Sequence, residues 1–197
     1  MALSKQAKIL SKNQSDAVLN LINSTRDPER NRVIFLFSIK AGLRAKEIAC
    51  LTWAMVTDAE GEIGTAIHLV DEASKGRSGR VIPLNKDLRA SLIALKAAYS
   101  RDRFSPSPFV IITQRAPRTS PAAIVNLFSY WYRSLGFTGA SSHSGRRTAI
   151  TFWARRISNV GGSLRDVQLL AGHSALSTTQ RYIEADGDAQ RRVVELV

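Results

Sequence analysis

The chain has 197 residues, enough for one folding unit with a sizeable core, and an ordinary apolar fraction of 44% with 7% aromatics. No apolar run approaches the roughly 18 residues that cross a bilayer, the opening MALSKQAKIL has no secretory leader pattern, and the lone Cys50 excludes an intrachain disulfide. A cytoplasmic protein is expected, and its excess of Lys and Arg (28 against 16 Asp and Glu, net charge +12) favours a polyanionic partner, nucleic acid first among them.

Taken in order, the first periodic segment predicts a helix over residues 15–24 with Val18, Leu21 and Ile22 on one face. Asp27 then stands as an N-cap before Pro28 at the first position of a second helix. That helix, through VIFLFSIKA, is apolar nearly all round, so it belongs deep in the core, and Gly42 is a suitable left-handed end to it. LRAKEIACLTW starts the next helix, where Cys50 sits as a small buried apolar group. Two β-prone runs follow, TAIHLV and RVIPL, with the polar stretch DEASKGRSG between them, which predicts an antiparallel hairpin.

Helical periodicity returns over residues 87–99, with Leu88, Leu92 and Leu95 on one stripe, and over 121–135 behind the cap candidate Ser120. A short apolar run, 109–113, lies between them. Short helices are expected over 145–157, 164–171 and 178–185, with a turn around Gly161 and Gly162 and a terminal stretch ending VVELV. No repeat or flexible linker divides the chain, so it reads as a single domain, mainly α with a small antiparallel β-sheet (α+β).

Five places hold side chains suited to phosphate chemistry. Arg44 opens a helix after the Gly42 turn, where its planar fork and the helix amides can face one anion. Lys75 lies in the hairpin turn, within reach of a DNA groove, and a desolvated lysine can donate a proton to a leaving oxygen. His143 and Arg146 are one helical turn apart, so that an imidazole and a guanidinium can address one site; Arg147 should point elsewhere on the helix. His173 follows Gly172, and Tyr182 comes nine residues later. A phenol is a poor nucleophile in water, but arginines and a phosphate beside it ease its deprotonation. Each of these residues alone has an ordinary structural reading, as a solvated charge, a turn residue or a packed ring. Three scattered histidines and one cysteine form no ligand set of zinc spacing, and the sequence has no phosphate-cradling glycine loop, so no metal or nucleotide cofactor is expected.

In their order and spacing, G-L-R-A-K-E-I, a hairpin Lys, H-S-G-R, and L-A-G-H-S with Tyr nine residues on, these segments resemble the tyrosine recombinase or phage integrase family over nearly all of the chain, from about residue 32 onward. The resemblance implies the catalytic-domain fold of that family, the DNA breaking-rejoining enzyme fold, and a DNA strand-transferase performing recombination or integration. It implies that Arg44 and Arg146 clamp the scissile phosphate, that Tyr182 forms a 3′-phosphotyrosyl intermediate, and that Lys75 protonates the departing 5′-oxygen. His143 and His173 would bond the phosphate and assist proton transfer, and Glu47 would buttress the site. The partner implied is double-stranded DNA, bound by a homotetramer, with no small-molecule substrate or membrane.

The chain has no room before Arg44 for the N-terminal core-binding domain usual in the family, and the segment between Arg146 and His173 is a few residues longer than usual. GDAQRRVVELV is a candidate to dock on a neighbouring subunit or on its own core. Two further functions share the resemblance: a DNA-binding regulator of the same fold without catalysis, and relaxation of DNA like a type IB topoisomerase.

Overall fold

Ser11 and Gln14 form a reciprocal capping box, and α1 (Lys12–Asn23) therefore begins earlier than the periodic face alone suggested. The computed structural model describes residues 7–74, 79–101, 107–113, 116–183 and 193–195. Val18 and Ile22 of α1 are fully buried, with Leu21 partly so, as their shared face requires. Pro28 starts α2 (Pro28–Lys40), but Asp27 caps no amide there and pairs instead with Arg30 at 3.0 Å. Seven residues of α2, Asn31 and 33–38, are buried, because the helix packs on α1, on α4 (Lys86–Arg101) and on α6 (Ser144–Arg156) together. A helix covered on several sides cannot carry a polar face, which accounts for its apolar run.

Phe35 of α2 meets Phe128 and Trp131 of α5 (Pro121–Ser134) with ring centroids 6.4 Å apart, and Phe128 meets Trp131 edge-on at 5.4 Å. Such edge and tilted contacts suit the ring quadrupoles. Ser120 caps α5 through the Ala123 amide, as expected. Leu88, Leu92 and Leu95 of α4 form the buried stripe predicted for them. The run 109–113 forms no named strand and makes isolated bridges from Phe109 to Thr52 and from Thr113 to Ala116.

The hairpin is present as β1 (Ala66–Leu69) and β2 (Arg80–Pro83), antiparallel, with Ile67 opposite Ile82 and Leu69 opposite Arg80. The turn that carries Lys75 lies outside the described residues, as does most of the terminal stretch. The element α3 (Ala45–Cys50) is a helix of six residues, and Cys50 is half-buried rather than buried.

Two close approaches fix the site. Gly145, at the start of α6, lies so near α2 that a Cβ there would collide with the side chain of Ser38. No larger residue lets the two helices meet, and their contact sets where Arg146 begins. The expected turn near Gly161 is present, with Gly161 at φ +77°, and leads into α7 (Leu164–Ala171). The helix after α7, α8 (Leu176–Gln180), is shorter than expected and ends before Tyr182.

Candidate active site

The C-terminus of α7 organises the site. Gly172, at φ +62°, turns the chain so that the His173 amide donates to Gln168 O at 3.1 Å and the Gly172 amide to Leu169 O at 3.0 Å. A Cβ at Gly172 would press to 2.8 Å on the guanidinium of Arg80. The final carbonyls of a helix have no partner within it and carry partial negative charge. Here two arginines meet them: Arg80 Nε donates to Leu170 O at 2.9 Å, and Arg146 donates to Ala171 O at 2.7 Å.

Arg146 is almost wholly buried, donates a second bond to Gly42 O, and places the same nitrogen that meets Ala171 O at 3.1 Å from His173 Nε2. Burial, then the charge of Arg44, lowers its pKa to about 10, so it remains a cation at neutral pH. Gly42 has the left-handed conformation expected after α2, φ +63°. Its turn sets the carbonyl against α6 and releases Arg44 at the head of α3.

Arg44 is the N-cap of α3, and Glu47 holds it at two points: one carboxylate oxygen accepts from the Arg44 amide at 2.8 Å, the other from its guanidinium at 2.8 Å. Glu47 is fully buried, and its neighbour Lys46 donates to Ser74 O. Arg80 completes the arrangement with a two-pronged contact to both oxygens of Glu47, each at 3.1 Å. Burial disfavours the Glu47 anion, but the hydrogen bonds and charge of Arg80, then of Arg44, outweigh it and hold the carboxyl below its usual range.

His173 Nδ1 lies 2.9 Å from the hydroxyl of Thr179, a buried residue of α8. Burial, then Arg146 and the surrounding arginines, pushes the imidazole down to about 4. Tyr182 stacks on His173 with ring centroids 5.6 Å apart and planes 22° from parallel, and its ring also packs on a small apolar cluster of Ile150, Val167 and Ala171. Its amide donates to Thr179 O at 3.0 Å in a turn beyond α8.

Arg44, His143, Arg146, His173 and Tyr182 line one cavity of about 630 Å³. His143, exposed at the N-cap of α6, faces it one turn before Arg147. Arg147 lines the same cavity instead of pointing away from it, because the wall is built across the first turn of α6 and the turn after α8. Arg181 contributes from the second of these, and Thr178 from α8 itself. Of the residues singled out from the sequence, Lys75 alone lies outside the described residues.

Arg80 and Thr179 were not foreseen. Arg80 had a signal: two residues before Ile82 on a strand, it shares the buried face. Thr179 had none beyond lying in a Ser and Thr run. Among the described residues no group of His, Cys, Asp and Glu side chains is placed to hold a metal ion, and no helix is long and apolar enough to cross a membrane.

The arrangement can grip a tetrahedral anion with arginines fixed before it arrives, beside a phenol and two imidazoles. Residues 8–188 match the Phage integrase family. The chain is 28% identical over 194 residues to the tyrosine recombinase XerA of Pyrococcus horikoshii, covering 97% of this chain and 63% of that protein. It is 28% identical over 180 residues to the tyrosine recombinase XerC of Bacillus licheniformis, covering 86% and 54%. The chain thus spans less than two thirds of these relatives' length. The fold matches the crystal structure of XerA recombinase, with TM-score 0.73, 19% identity, and coverage of 95% of this chain and 64% of that one. It also matches XerH site-specific recombinase bound to difH substrate, with TM-score 0.72, 18% identity, and coverage of 98% and 55%.

Proposed function

The chain belongs to the phage integrase family, and on that premise we propose that it is the catalytic domain of a site-specific DNA recombinase, cutting and rejoining DNA through a 3′-phosphotyrosyl intermediate at Tyr182. The observation that carries this is the convergence of Arg44, Arg146, His173 and Tyr182 on one cavity from four separate parts of the chain. Neither a silent DNA-binding regulator nor a type IB topoisomerase has an observation in its favour.

In this mechanism Arg44 and Arg146 hold the non-bridging oxygens of the scissile phosphodiester. Both are fixed beforehand, Arg44 by Glu47 and Arg146 by Gly42 O and Ala171 O, so little reorganisation accompanies the build-up of charge in the pentavalent transition state. Tyr182 Oη attacks phosphorus; a phosphorus–oxygen bond forms to tyrosine as the bond to the 5′-oxygen breaks. Lys75 supplies the proton on which that oxygen leaves as a hydroxyl. His143 and His173 serve the phosphate and the proton transfers, His173 once the phosphate takes the Arg146 nitrogen from which its Nε2 accepts in the free chain. Rejoining reverses the step, with a DNA 5′-hydroxyl attacking the phosphotyrosine and returning the phenol. The phosphotyrosine keeps the energy of the broken bond, so the cycle needs no nucleotide and no metal. Partner DNA is double-stranded, and the acting form is a homotetramer on two duplexes.

The test uses nicked suicide duplexes taken from the ends of the genetic element that encodes the chain. A covalent protein–DNA adduct is expected, absent in Tyr182→Phe while DNA binding remains. An adduct that survives Tyr182→Phe overturns the assignment.

A further inference from the structure

The cavity beside Tyr182 carries more positive charge than one scissile phosphate requires. Its described lining includes four arginines, Arg44, Arg146, Arg147 and Arg181, and no carboxylate. Two of them are already committed: Arg44 to Glu47, and Arg146 to two carbonyls and His173. Arg147 and Arg181 have no carboxylate partner among the described residues. Arg181 makes one long bond, 3.4 Å, to the Thr178 hydroxyl. Arg147 Nε is buried and has no hydrogen-bond partner among the described residues. A guanidinium nitrogen withdrawn from water and left unbonded is costly unless an acceptor arrives. The two come from different elements, the first turn of α6 and the turn after α8, so the fold gathers like charges that chain order does not. The head of α6 adds to this, since its N-cap His143 makes no side-chain bond to the first amides. The volume of about 630 Å³ lies in the range of sites that hold a sizeable ligand, far more than a single phosphate fills.

We propose that Arg147 and Arg181 form a second phosphate-binding position, taking a backbone phosphate of the DNA strand adjacent to the one that Tyr182 attacks. This rests on the DNA-cleaving function proposed above. Two fixed phosphates, one on each side of the nucleoside between them, define the strand's direction through the cavity, which a single phosphate cannot. Arg147 and Arg181 are thus strand-positioning residues.

The experiment measures affinity for a random-sequence duplex of 30 base pairs by fluorescence anisotropy over a series of salt concentrations, for the unaltered chain, Arg147→Gln, Arg181→Gln and the double variant. Removing one arginine–phosphate pairing should flatten the plot of log affinity against log salt by about 0.9, and the double variant should flatten it by about twice that. Arg181 is exposed, so its substitution reports even if Arg147→Gln fails to fold. Arg147→Lys should restore most of the slope. Variants that bind with the slope of the unaltered chain overturn the second position, as does weaker binding with no change in slope. If the unaltered chain shows no salt-dependent DNA binding, the proposed function itself falls.

Discussion

Arg146 fixes the protonation of His173. The two side chains meet at 3.1 Å, nitrogen to nitrogen, and a guanidinium has only donors, so His173 Nε2 accepts. The proton of the neutral ring then sits on Nδ1 and is donated to the Thr179 hydroxyl at 2.9 Å. One contact thereby sets the tautomer and the other the ring plane, the same plane on which Tyr182 stacks.

Removing the second contact should loosen that geometry. Thr179→Val keeps the volume but leaves the Nδ1 proton without its acceptor, a penalty of about 1 kcal/mol. The rate of covalent adduct formation should fall roughly fivefold with DNA affinity unchanged, and Thr179→Ser should restore it. An unchanged rate in Thr179→Val removes Thr179 from the site.

The low pKa of His173 predicts how stability depends on pH. In the unfolded chain the ring binds a proton near 6.5, whereas burial and the neighbouring arginines delay this to about 4 in the folded state. Between those values the unfolded state holds more protons, so stability is full above 6.5 and declines as pH falls toward 4. Glu47, lowered from 4.5, adds its own decline only below that value. Urea midpoints measured between pH 6.5 and 4.5 should decline more steeply for the unaltered chain than for His173→Gln. Equal slopes would count against a depressed His173.

The Arg44–Glu47–Arg80 group predicts a large effect from a residue outside the cavity's own chemistry. Glu47 is fully buried and the Arg80 side chain only 6% exposed, so Arg80→Met strands the carboxylate against one arginine. Breaking a buried pair from one side costs about 3–5 kcal/mol, readable as a lower urea midpoint. Glu47→Gln, which keeps the shape and some bonds, should cost less. If Arg80→Met costs under about 1 kcal/mol, the contact to Glu47 contributes little.

The core offers an opposite case. Tyr132 is 1% exposed, its hydroxyl has no partner among the described residues, and burial drives its pKa well up. Tyr132→Phe removes an unpaired polar group and keeps the stacked contact with Phe128 at 6.0 Å. The variant should be more stable by about 1 kcal/mol, a rise of about 2–4 °C in Tm. A lower Tm would reveal a partner for that hydroxyl.

Local signals made much of this molecule legible. The leucine stripe of α4, the cap at Ser120, the Gly42 turn and the hairpin strands all follow from interactions within a few residues, and the structure bears them out. Glu47, three residues from Arg44 across the head of one helix, was marked by the family resemblance and not by a local signal. Where neighbours in space are distant in sequence, that legibility ends. Nothing near Arg80 announces Glu47, 33 residues away, or the open carbonyl of Leu170, 90 away. Nor does the α6 periodicity show that Arg147 faces the turn after α8.

Tyr182 shows the division best. Its spacing from His173 marked it, but helical propensity placed it inside a helix over 178–185. In the structure α8 stops at Gln180, and the Tyr182 amide bonds three residues back to Thr179. The tight turn lays the ring on His173, whose position depends on Arg146 and the end of α7. By itself the sequence determined which residues are candidates to carry the chemistry, because motif order and spacing are properties of the chain. Only the tertiary structure decided how they face one another, because contacts among buried charges and rings outweigh the few tenths of a kcal/mol by which local propensity prefers one more turn of helix.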